Sequence, residues 1–163
     1  KTIQHIVFLS VQGADANKHI PHAKIEQAIV TSKIPYTFVR PAYFMQNFLQ
    51  SPMFDELVVQ PEHRVFLPAG HTKFTVIDVY DIGRAVAGIL LSISSGQKIH
   101  VNKSYDLTNA EQLSFSEMAE ILNDELPYTV TYTSPNPVRF FFVMRQRYQK
   151  LPRMFITVMI MLH

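Results

Sequence analysis

The sequence predicts an alternating α/β fold built around a parallel sheet, and three observations carry that prediction. Residues 5–11 (His-Ile-Val-Phe-Leu-Ser-Val) are a short, near-continuous apolar run with β-branched members, which suits a strand buried on both faces. A strand, a helix and a second strand succeed one another within residues 5–41, the spacing of a βαβ unit, right-handed in nearly all known cases. Extended and helical patterns then go on alternating as far as residue 133.

After the first strand, Gly13 and the polar stretch Asp15-Ala-Asn-Lys18 read as a loop. Pro21 opens a helix to about Ser32, because proline at a first helical turn gives up no hydrogen bond. Its apolar positions Ile25, Ala28 and Ile29 fall at the i, i+3, i+4 spacing of one face. Residues 35–41, bounded by prolines, are the second strand, and residues 43–50 read as a short helix. Residues 64–68 and 74–78 are expected to be short strands around a turn at Ala69-Gly70.

Asp78 is the expected N-cap of a helix whose apolar face is Ile82, Ala85, Val86, Ile89 and Leu90. Residues 104–107 form the next strand. Ser114-Phe-Ser-Glu117 is a capping-box pattern, with Met118, Ile121 and Leu122 following on one helix face. Residues 129–133 alternate as a strand does, and from Val138 a strongly apolar helical tail runs on, broken at Pro152. There is no internal repeat, low-complexity tract or linker. The organisation expected is one domain over 1–163, with 1–50 closing a sheet and 51–163 forming a C-terminal lobe.

Composition narrows the function classes. Of 163 residues, 47% are hydrophobic and 17% charged, which supports a packed core. The net charge is +2 and the basic residues are scattered, apart from Arg145, Arg147, Lys150 and Arg153. No nucleic-acid partner is therefore expected. The absence of cysteine removes disulfides, thiolate nucleophiles and cysteine zinc sites together. The fully apolar runs reach about a third of a ~20-residue bilayer-spanning helix, so no membrane partner is expected and a cytoplasmic location is the default. The chain opens on Lys1-Thr2-Ile3 and stops inside the apolar run Phe155–Leu162, the pattern expected of a cut chain.

Three stretches resemble one family. They are residues 6–13 (IVFLSVQG); His22-Ala-Lys-Ile-Glu26 followed by residues 34–47 (IPYTFVRPAYFMQN); and residues 74–83 (FTVIDVYDIG). Together they resemble the NmrA-like group of atypical short-chain dehydrogenases, over roughly residues 3–126. The resemblance implies the C-terminal portion of a Rossmann-like, doubly wound parallel sheet plus a small α+β substrate lobe, with NADP or NAD as cofactor. Members begin with a strand and a G-x-x-G-x-x-G turn that seats the pyrophosphate. The glycines here, at 13, 70, 83, 88 and 96, do not have that spacing. The expectation is a fragment starting near the fifth strand of the parent sheet, with an open apolar edge at residues 5–11 that makes the chain poorly behaved alone.

Classical short-chain dehydrogenases use Tyr-x-x-x-Lys, whose spacing sets both side chains on one helix face. That pair is absent. One register puts Lys18 at the Tyr position and His22 at the Lys position; the other puts His22 and Glu26 there. His22 is the candidate catalytic residue in either register. The resemblance assigns cofactor contacts to Ser10, His22, Ala42, Tyr43, Phe44 and Met45, with Asn47 helping to fix the loop. Lys24 and Glu26 read as solvated helix residues, and Asp78 and Asp81 as a cap and a carboxylate favourable to the helix dipole. His19-x-x-His22 lacks a third ligand in reach by sequence and is rejected as a metal site. The run Phe140–Met144 reads as core or a subunit face.

Two functions are implied. One is an NAD(P)H-dependent oxidoreductase of small carbonyl, quinone or azo-type substrates, the fragment alone being inactive. The other is a non-catalytic redox-sensing regulator that binds the dinucleotide and a regulatory protein partner. Implied partners are therefore a dinucleotide and a small-molecule substrate, with a homo-oligomer or a regulatory protein in addition.

Overall fold

The computed structural model describes residues 3–47, 63–147, 153, 156, 157 and 160. They fall into two compact units that interleave along the chain. The first comprises residues 1–46 and 75–111, the second residues 47–74 and 112–163. A single boundary at residue 50 does not describe this division, because residues 103–107 return to pair with the first unit's sheet.

The first unit holds β1 (Ile6–Leu9), α1 (Pro21–Thr31), β2 (Tyr36–Pro41) and β3 (Tyr43–Phe44). In the second unit, β4 (Arg64–Phe66) follows; β5 (Val76–Ile77), α2 (Val79–Ser94) and β6 (Lys103–Leu107) return to the first. The main sheet has the order β1–β2–β6, parallel throughout, with Phe8 opposite Phe38 and Phe38 opposite Ser104. As the central strand, β2 buries Thr37, Phe38, Val39 and Pro41. Among the described residues β1 pairs with β2 alone, and its Leu9 is 46% exposed. It is an edge strand, half-buried where the apolar run predicted burial on both faces.

One face of this sheet carries the apolar core. Val39, Ala42, Ile77, Ile82 and Ile89 pack together, joined by Val7, Val86, Ile93, Tyr105 and Leu107. Asp78 caps α2 by accepting from the Tyr80 N–H at 2.7 Å. The packed side of α2 runs through Ile82, Val86, Ile89 and Ile93; Leu90, expected on it, is 50% exposed.

Residues 43–44 are a strand and not the start of the expected helix. The Tyr43 and Met45 N–H groups donate to Thr75 and Ile77 carbonyls, so the backbone is held extended against β5. Residues 48–50 of that expected helix lie outside the described residues. A second difference concerns α1. Ile25 and Ala28 of its predicted apolar face are exposed, and the buried residue is Glu26. The carboxylate, held by two partners on the sheet, sets which way the helix turns.

In the second unit β4 pairs in parallel with β7 (Thr131–Thr133), alongside α3 (Phe115–Glu125) and α4 (Pro137–Arg147). The short strands expected within residues 64–68 and 74–78 form at Arg64–Phe66 and Val76–Ile77, each paired elsewhere, β4 with β7 and β5 with β3, and Phe74 bridges Leu113. The capping box of α3 is complete: Ser114 Oγ accepts from the Glu117 N–H, and Glu117 Oε2 accepts from the Ser114 N–H at 2.7 Å. Lys73 at 2.6 Å, together with these Ser114 bonds, pulls the Glu117 carboxyl down to about 2. Phe115, Met118 and Ala119 form the buried side of α3, whereas Ile121 is 49% exposed. Phe140 and Met144 are fully buried core, while Phe142 of the same run is 67% exposed.

Ser114→Ala removes one arm of the capping box and should cost about 1 kcal/mol, read as a lower urea midpoint in chemical denaturation.

Candidate functional site

In parallel sheets ligands bind at the carboxyl ends of the strands, so the site is built from where β1 and β2 end. The chain leaving β1 stays beside β2: the Ser10 N–H donates to the Val39 carbonyl at 2.7 Å, and the Gln12 N–H to Pro41 at 3.0 Å. Alternation along β1 puts Phe8 and Ser10 on the face that α1 covers. Their partners agree with this, since Phe8 lies beside Phe38 and His22, and Ser10 beside Glu26.

Four side chains join here. The Ser10 hydroxyl donates to Glu26 Oε1 at 2.5 Å. Arg40 donates to the same carboxylate twice, Nε to Oε1 at 3.0 Å and Nη2 to Oε2 at 2.7 Å. Its remaining nitrogen, Nη1, lies 3.2 Å from Asp15 Oδ2. Glu26 and Arg40 are both largely buried, with side chains 8% and 12% exposed. Burial pushes the Glu26 carboxyl up, but the bonds from Arg40 and Ser10 and the charge of Arg40 outweigh it and hold the carboxyl below its ordinary value. The same bonds, Glu26 first, raise the Arg40 guanidinium further above its usual range.

The residues singled out in the sequence are found as follows. Ser10 is buried, its proton committed to Glu26. His22 lies half-buried in the first turn of α1, its ring centroid 6.2 Å from that of Phe8. Ala42 is buried in the core, and Phe44 packs against it. Tyr43 is half-buried and Met45 is 36% exposed. The structure brings Ser10 and residues 42–45 to neighbouring strand ends. The N–H groups of Ala42, Tyr43 and Met45 are all spent on ladder bonds, to Leu107, Thr75 and Ile77. That segment therefore offers a ligand side chains, and not these amides.

Of the two registers for the missing Tyr-x-x-x-Lys pair, His22 and Glu26 share α1, whereas Lys18 precedes it. Glu26 is the residue that sequence reasoning placed wrongly, as solvated. Its signal is Arg40, the one charged residue in a buried strand of a βαβ unit, which demands a counter-charge from the covering helix.

The family model described as the NmrA-like family matches residues 1–154. The chain belongs to the NmrA-like family. Among curated relatives it is 21% identical over 140 residues to the prestalk A differentiation protein A of Dictyostelium discoideum, covering 86% of this chain and 43% of that one. To the NAD(P)H azoreductase of Xenophilus azovorans it is 28% identical over 109 residues, covering 67% and 35%. The NADPH-dependent quinone oxidoreductase QOR2 of Escherichia coli superposes with a TM-score of 0.78 at 20% identity, over 96% of this chain and 54% of that one. This last likeness shows the fold. The NmrA-like chain spans about half the length, or less, of these relatives.

Within this NmrA-like βαβ unit, Glu26→Gln removes the buried counter-charge of Arg40, leaving it only the exposed Asp15 contact, and should cost about 3 kcal/mol in urea unfolding. The double substitution Glu26→Leu with Arg40→Met should recover most of that loss. Because the folded Glu26 carboxyl sits below its ordinary value of 4.5, its contribution is complete above that pH and disappears as pH falls through the lowered folded value. Wild type should therefore lose stability on acidification more steeply than the double variant.

Proposed function

We propose that this NmrA-like chain works as part of an NAD(P)H-dependent oxidoreductase of small carbonyl or quinone-type substrates. The observation that carries the reading is the convergence of Ser10 and residues 42–45 at adjacent carboxyl ends of a parallel sheet, with His22 in the first turn of the intervening helix. The names of the azoreductase and the quinone oxidoreductase relatives support it.

The residues present fit the nicotinamide end of a dinucleotide. Tyr43 and Met45 keep exposed surface there, while Ala42 and Phe44 anchor the segment in the core. The bound cofactor supplies the hydride. Tyr43 and Met45 position its ring and exclude water, and the His22 imidazole delivers the proton to the reduced oxygen.

The test is an NADPH titration, followed by nicotinamide fluorescence, of the 163-residue chain beside a polypeptide that adds a glycine-rich turn upstream. Tight binding and quinone-dependent NADPH oxidation are expected of the longer polypeptide, with His22→Ala lowering kcat by about 100-fold. Failure of the longer polypeptide to oxidise NADPH with any quinone of a broad panel removes the oxidoreductase reading. Undiminished turnover in His22→Ala removes His22 as proton donor.

A further inference from the structure

A cleft of about 490 Å³ opens on the α1 side of the main sheet. Part of its lining is apolar: Ala23 and Val30 of α1, with Tyr36 and Phe38 of β2, whose rings stack at a centroid separation of 4.3 Å. Part is charged: Arg40 with Glu26 and Lys24 of α1, and Asp15 and Lys18 from the loop ahead of it. Its volume is that of an ordinary small-molecule site. None of residues 42–45 lines it, so it stands apart from the dinucleotide reading.

The two carboxylates on Arg40 are not equivalent. Glu26 takes two N–H groups and is 8% exposed; Asp15 takes the remaining nitrogen at 3.2 Å and is 61% exposed. Glu26 takes the paired hydrogen bonds of the guanidinium, and the charges of Asp15 and Asp106 add to its own. The Asp15 contact is single and reached from an exposed loop, and such pairs hold weakly. A carboxylate from solution can occupy the same place on Nη1. Lys18, exposed beside the cleft, adds positive charge in its favour.

We propose that this cleft binds a small aryl carboxylate, its ring against Tyr36 and its carboxylate displacing Asp15 from Arg40 Nη1. The anion is a carboxylate because the group already seated there is one, and the body is aromatic because Tyr36, the partly exposed member of the stacked ring pair, lines the cleft.

Calorimetric titration of the 163-residue chain, without dinucleotide, tests this with 2-naphthoate and its neutral isostere naphthalene-2-carboxamide. Naphthoate should bind about tenfold more tightly than the carboxamide. Asp15→Asn removes the competing anion and should tighten naphthoate about fivefold, and Lys18→Gln should weaken it by about as much. Both substitutions fall on exposed loop positions, and circular dichroism checks that the fold is retained. Equal binding of the two probes overturns the proposal. So does naphthoate affinity that Asp15→Asn leaves unchanged, or no naphthoate binding to either protein. None of these outcomes bears on NADPH binding.

Discussion

The first unit depends on one requirement, that the guanidinium of Arg40 be neutralised inside a βαβ unit. Arg40 stands near the end of the central strand, between β1 and β6, where its side chain is almost out of water. Leaving such a charge unpaired costs several kcal/mol. Glu26 meets the need from the covering helix, and a bidentate pair tolerates little rotation or sliding. The helix is thereby fixed in azimuth and height above the sheet. That is why Ile25 and Ala28 face water while a carboxylate is buried, the reverse of what apolar spacing predicts.

The same pair places the residues around it. With Glu26 directed at the strand, His22, one turn earlier on the same helix, comes against Phe8. Ser10 is drawn to the shared carboxylate oxygen, and Asp15 reaches the guanidinium from the loop that connects β1 to α1. The candidate site and the cleft beside it are thus two sides of one ion pair. The site lies at the strand ends and the cleft under the helix.

Local patterns in the sequence were legible and distant pairings were not. The helix from Asp78 and the capping box at Ser114 both form as read, because a cap is decided by side chains two or three residues from the amide they bind. The first two strands and the helix between them are also where the pattern put them. Residues 43–44 were misread because their extended form is set by β5, more than 30 residues on, with no trace in their own composition. The interleaving of the two units was illegible for the same reason, since it rests on β6 returning to β2. Of the site, resemblance names the strand-end positions but not the Glu26–Arg40 pair beside them. Apolar periodicity predicts the wrong buried face for α1, because the charge of Arg40 in the facing strand outweighs it.

The bonding order around Glu26 also limits the chemistry open to Ser10. An ionised carboxylate can only accept, so at 2.5 Å it is the Ser10 hydroxyl that must donate. What remains on that oxygen are lone pairs. In the proposed reaction Ser10 can therefore receive a hydrogen bond from a hydroxyl or an amide, but it has no proton to polarise a substrate carbonyl. The electrophilic assistance that a carbonyl or quinone reduction needs must come from another group at the strand ends. Of the residues assigned there, His22 sits on the same helix as Glu26, and none of its hydrogen-bonding capacity is claimed by that network. The pair that takes Ser10 out of proton donation also fixes the helix that carries His22.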